Sequence, residues 1–146
     1  MQMEKIIAKA GVLVEALPYI QQFNRKIILV KFGGSVIDDE NLMQGILRDI
    51  AFMAAAGMQP VIVHGGGKAI NAELKTLAIE PQFINGLRYT CERTIKVVDR
   101  VLHDVINASL VRFLRQECGT DAVAVSGKNI LRCERITTTD KDSGKE

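Results

Sequence analysis

The sequence carries no excess of charge of either sign: 19 basic and 17 acidic residues are closely mixed, for a net charge of +2. No basic face marks a nucleic-acid surface, so nucleic acid is excluded as an expected partner. Cysteine is scarce. Cys91, Cys118 and Cys133 form no CxxC pair and leave an odd thiol, which fits a reducing compartment better than a disulfide framework. No metal-ligand spacing accompanies them, so they read as filler and no metal site is expected. Long apolar runs are also missing. The N-terminal stretch "MQMEKIIAKAGVLVEALPYI" has only short apolar runs and a charge at Glu15, which argues against a signal peptide or membrane span and makes the cytoplasm the expected location. Neither GxxxxGK[ST] nor GxGxxG occurs, so the P-loop and dinucleotide-binding designs are excluded.

What is present is a repeated plan. In "KIILVKFGGS" (26–35) an apolar run stops at a lysine and a glycine pair, and in "PVIVHGGGKAIN" (60–71) an apolar run opens into three glycines and then a helical pattern. The uninterrupted "IILV" suits a parallel strand covered on both faces. Between the two strands, Asp38 or Asp39 can cap a helix whose buried face includes Leu42, Ile46, Ile50 and Met53, with Gly57 placed to end it. Residues 68–78 form the next helix, a loop surrounds Asn85-Gly86, and Ile95, Val98, Leu102, Ile106, Leu110 and Phe113 mark a long helix ending near Cys118-Gly119. "DAVAV" (121–125) reads as a third buried strand, 130–137 as a short hairpin arm, and "TTTDKDSGKE" as a polar tail with nothing to bury. Ahead of all this, Ile6, Ala10, Leu13 and Leu17 give an amphipathic helix expected to kink or restart at Pro18. With 146 residues, 47% apolar, the chain fits one α/β domain or one lobe of something larger: a three-layer sandwich with a mainly parallel sheet and an N-terminal helix.

Glycine after a strand lets backbone N–H groups approach an anion, and a helix beginning just beyond adds its positive end. A glycine pair alone more often serves a turn. Lys31 with Gly33-Gly34 and Gly65-Gly66-Gly67, all projected to one strand-end edge, is a stronger signal, because ligands of open α/β sheets bind there. His64 reads as a residue that fixes the glycine loop, and Lys68 as either a ligand contact or a solvated lysine at a helix start.

"VKFGGS", "VIVHGGGKAIN", "FINGLRYT" and "AVAVSGK", in this order, resemble the N-terminal half of the acetylglutamate kinases in the amino acid kinase family. "EALPYIQQF" resembles the extra helix of the arginine-inhibited, hexameric members. The resemblance implies ATP-dependent phosphorylation of the side-chain carboxylate of N-acetyl-L-glutamate in arginine biosynthesis, with ATP and Mg2+ as a substrate complex and no tightly bound cofactor. It implies that Lys31 stabilises the transferring phosphoryl group, Gly33 and Gly34 hold ATP phosphates, Gly66 and Gly67 bind acetylglutamate, and Arg88 grips its α-carboxylate. It also implies a homo-oligomer, a hexamer at full length, open to arginine feedback inhibition and without membrane contact. Residues 1–24 would be a kinked interface helix and 25–146 the acetylglutamate-binding lobe.

Two departures accompany the resemblance. Many relatives have Pro-Gln where this chain has Lys68-Ala69, and the family is about twice as long, so the nucleotide lobe is expected to be absent and the chain inactive alone. A carbamate, aspartate or uridylate kinase would share the lysine-glycine turn but lack "NGLR" and the added helix. A non-catalytic binding or assembly lobe is the other alternative.

Overall fold

A computed structural model describes residues 2–134 of the chain. The first helix, α1 (Gln2–Phe23), runs through Pro18 without a break, so the restart expected there does not occur. Strong helix formers on both sides of Pro18 offset the one hydrogen bond that it removes. Most apolar residues of α1, Ile6, Leu13 and Leu17 among them, are exposed.

β1 (Ile27–Phe32) and β2 (Gln59–His64) pair in parallel, with Leu29 opposite Val61 and Lys31 opposite Val63. The chain passes between them through α2 (Gly34–Asp38) and α3 (Glu40–Ala55). Asp39 caps α3 by accepting from the Leu42 N–H at 3.0 Å, which resolves the choice of cap between two aspartates. The buried face of α3 is centred on Leu47 and Ile50, with Ile46 and Met53 beside them and Leu42 exposed. Gly57, at φ 90°, ends the helix as its position suggested.

The sheet is covered on one face only among the described residues. Phe32 is 2% exposed, whereas Ile27 and Leu29 on the opposite face are 71% and 68% exposed, so the covering of both faces expected from "IILV" is not seen. The observed architecture is an α/β arrangement of a parallel sheet, helices on one face and an N-terminal helix. No element within 2–134 supplies the layer that would bury Ile27, Leu29, Val61 and Val63.

α4 (Gly67–Thr76) follows β2, and the segment around Asn85-Gly86 is a tight hairpin rather than an open loop. β3 (Phe83–Ile84) pairs antiparallel with β4 (Leu87–Arg88), and Asn85 and Gly86 sit at φ 49° and 79°, the pair of positive values that a two-residue turn requires. The expected long helix is a rod in three parts: α5 (Glu92–Arg100), a π-helical turn (Val101–Asn107) and α6 (Ala108–Gln116). It ends at Gly119, φ 63°, where the Thr120 N–H reaches back to Leu114 O at 2.9 Å. Phe32, Leu47, Ile50, Ile70 and Leu74 meet the inner face of this rod in one core.

"DAVAV" is not a strand. Val123 is 72% exposed, and two carbonyls of the segment accept from side chains of the rod: Arg115 Nε donates to Ala122 O at 2.7 Å and Asn107 Nδ2 to Val125 O at 3.2 Å. These bonds hold the segment against the helix. No strand forms over 130–134; the rest of the expected arm and the polar tail lie outside the described residues.

Candidate functional site

Because β1 and β2 are parallel, their carboxyl ends face the same way, and both run into glycine loops there. The Gly65 N–H donates to Phe32 O at 3.4 Å, and Lys68 Nζ lies 2.6 Å from the Asp38 carboxylate. The two loops are therefore neighbours, as the repeated plan predicted. Lys68 is half accounted for by this pair: it ties the start of α4 to the end of α2 at the surface, where such a bond contributes about 0–1 kcal/mol. His64 Nδ1 lies 3.0 Å from Gly65 O, and since a carbonyl only accepts, the ring nitrogen donates and steadies the loop.

The loop glycines fall into two kinds. Gly66 is buried, and a Cβ added there would lie 2.5 Å from Ile106 Cδ1 and 2.9 Å from Leu102 Cδ2, so a side chain would fit only if those two tips shifted. At Gly33, Gly34, Gly65 and Gly67 a Cβ would meet nothing within 4 Å, and none has a positive φ. Neither internal crowding nor backbone geometry explains those four. Open space beside a bare backbone is what a ligand approaching the N–H groups requires.

Arg88 is held firmly but incompletely. Its Nη2 donates to Asn71 Oδ1 at 2.6 Å, its guanidinium lies 4.8 Å over the Phe83 ring, and its Nη1 is buried with no hydrogen-bond partner. An unmade hydrogen bond at a buried donor costs about 1–3 kcal/mol, more when the group is charged, so this nitrogen is prepared for an acceptor. Asn71 stands one helical turn beyond Gly67 in α4, which links Arg88 to the glycine loop through a single helix. Lys31 projects from the open face of the sheet, exposed and without an ion pair among the described residues.

Sequence reasoning missed Asn71 and Phe83, the two side chains that fix Arg88. The closing "N" of "GGGKAIN" was visible, but its role depends on the hairpin folding back over α4. Asn107 and Lys128 fasten the chain after α6: Asn107 donates to Val125 O, and Lys128 Nζ lies 2.7 Å from Asp99 Oδ2. Cys91, just before α5, has its thiol pKa lowered by the Thr94 hydroxyl and by backbone N–H groups of the helix start. Among the described residues no group of three or more His, Cys, Asp or Glu side chains could hold a metal ion, and no helix is long and apolar enough to cross a membrane. A cavity of about 450 Å³ lies between β2 and residues 120–125, but it is lined chiefly by apolar groups such as Pro60, Ile62 and Leu110. Its lining includes His64 but neither Lys31 nor Arg88.

Residues 26–143 match the model of the amino acid kinase family. The chain belongs to that family. It is 46% identical over 134 residues to an acetylglutamate kinase of Thermoanaerobacter pseudethanolicus, covering 90% of this chain and 44% of that protein. It is 43% identical over 141 residues to an acetylglutamate kinase of Synechocystis sp., covering 97% of this chain and 47% of the relative, so that match takes in most of α1. The chain thus spans less than half the length of the curated relatives it matches. The fold is similar to part of a solved N-acetylglutamate synthase from Neisseria gonorrhoeae, complexed with coenzyme A and N-acetyl-glutamate. The TM-score is 0.56 at 19% identity, over 69% of this chain and 23% of that one.

Proposed function

We propose that residues 25–146 are the acetylglutamate-binding lobe of an acetylglutamate kinase, and that α1 is its interface appendage. The reaction would move the γ-phosphoryl group of ATP, supplied as its magnesium complex, to the side-chain carboxylate of N-acetyl-L-glutamate. The observation that carries this reading is the buried, unpartnered Nη1 of Arg88, held one helical turn from a glycine loop with bare backbone. A planar guanidinium suits a carboxylate, and N–H groups at the start of a ten-residue helix suit a second anionic or carbonyl group of the same small molecule.

In the step itself a carboxylate oxygen attacks the γ-phosphorus, the bond from phosphorus to the β,γ-bridging oxygen breaks, and ADP leaves with that electron pair. A carboxylate is already a nucleophile, so His64 is not needed as a base. Catalysis then rests on positioning and charge neutralisation, the role assigned to Lys31, with Gly33 and Gly34 cradling phosphate. The proposed setting is arginine biosynthesis in the cytoplasm. The proposed full assembly is a hexamer joined through α1 and inhibited by arginine.

The test uses this chain joined to the second half of the 46%-identical Thermoanaerobacter relative. Lys31→Ala should lower kcat by roughly 10²-fold or more with little change in KM for acetylglutamate. Arg88→Ala should chiefly raise that KM, because it removes binding common to ground and transition states. A Lys31→Ala enzyme with normal kcat, or an Arg88→Ala enzyme impaired only in ATP use, would overturn the assignment.

A further inference from the structure

The buried positions of the long rod are Thr94, Val97, Val101, Ile106, Leu110 and Leu114. Every step is three or four residues except the one from Val101 to Ile106, which is five. Val105, where an uninterrupted α-helix would place the next buried residue, is 51% exposed, and Ile106 is 5% exposed. The extra residue is absorbed by the π-helical turn Val101–Asn107. Such turns are rare and cost hydrogen-bond geometry, so a local reason is called for.

The reason lies across the rod at the glycine loop. Leu102 and Ile106, both in the π-helical turn, are the two side chains whose tips occupy the space that a Cβ on Gly66 would take. A Cβ at Gly66 would fit only if the Ile106 and Leu102 side-chain tips shifted. Gly66 is also the residue from which α4 starts: its carbonyl accepts from the Ile70 N–H at 2.9 Å, and no side chain caps the helix. Whatever sets the position of Gly66 therefore sets the first N–H groups of α4 and, through Asn71, the guanidinium of Arg88.

We infer that the π-helical turn is a positioning device for the ligand loop, with Ile106 and Leu102 as positioning residues that set the depth of Gly66. This rests on the reading of the loop as a ligand site, but its structural half can be read without a ligand. Removing Val105 returns the buried stripe to steps of three and four, so Ile106, Leu110 and Leu114 stay inward while the turn tightens to an α-helix and moves Ile106 relative to Gly66.

The experiment compares the 146-residue chain with its Val105 deletion, Ile106→Val, Gly66→Ala and the Gly66→Ala/Ile106→Val pair. The readings are thermal melts, backbone amide spectra and titration with N-acetyl-L-glutamate. The deletion should keep a cooperative melt, shift the amides of Gly65 to Lys68, and weaken acetylglutamate binding by about 10- to 100-fold, the scale set by misplacement of about 1 Å. Gly66→Ala should melt below the parent, and adding Ile106→Val, which trims the Cδ1 facing that site, should recover most of the loss. Loop amides that stay in place in the deletion, or a double variant no better than Gly66→Ala, would overturn the inference; if the deletion does not fold, the Ile106→Val pair decides. A parent chain that binds no acetylglutamate would instead count against the proposed function, with the amide and melting results still deciding the role of the turn.

Discussion

At the residue scale, the loop glycines divide into one that packing crowds, Gly66, and four that packing leaves open. A Cβ at Gly33 or Gly67 meets no neighbour within 4 Å, and neither residue has a positive φ. Gly33→Ala and Gly67→Ala should therefore leave stability within about 0.5 kcal/mol of the parent. Gly67→Ala should nonetheless weaken acetylglutamate binding, as calorimetric titration beside a thermal melt would report. A large loss of stability would mean that the glycine serves the fold. Lys31 and the two glycine loops were singled out by residue type and local spacing, and the structure places the loops side by side, whereas Arg88 was singled out only by the family resemblance. Asn71 and Phe83 were not, since each acquires its role only when β3 and β4 fold back and bring Arg88 onto α4.

At the element scale, the parts written in local signals were readable and the parts decided by pairing were not. Asp39 is a helix cap by residue type and position, and its bond to the Leu42 N–H is the physical content of that signal. Asp39→Ala should destabilise the chain by about 1 kcal/mol, seen as a lower urea midpoint with an unchanged slope. The long rod was visible from its apolar spacing, but the π-helical turn was not, because Ile95, Val98, Leu102, Ile106, Leu110 and Phe113 step by three and four throughout, whereas the face that is buried runs through Thr94, Val97, Val101 and then Ile106. "DAVAV" has the composition of a buried strand. In the structure it forms no ladder, and Arg115 and Asn107 donate instead to its Ala122 and Val125 carbonyls. Asn85-Gly86 carried a hairpin signal that its flanks, only two residues of strand on each side, made easy to read as a loop.

At the scale of the whole molecule, two apolar surfaces stand out: α1, with Ile6, Val12, Leu13 and Leu17 exposed, and the open sheet face of Ile27, Leu29, Val61 and Val63. Exposed apolar area of this kind marks surfaces that associate. In the chain extended by its relative's second half, removal of residues 1–22 should reduce a hexamer to dimers in light scattering. An unchanged mass would exclude α1 as the joining element. The carboxylate-and-phosphate chemistry proposed for the sheet edge stands or falls with the ligand loop and Arg88 acting together on one small molecule. The most direct measurement is titration of the 146-residue chain with N-acetyl-L-glutamate, followed by the backbone amides and the Arg88 side chain. Saturable shifts centred on Gly65 to Lys68 and on Arg88, lost in Arg88→Ala, are the predicted result; no saturable shift, or shifts that persist in Arg88→Ala, would contradict it.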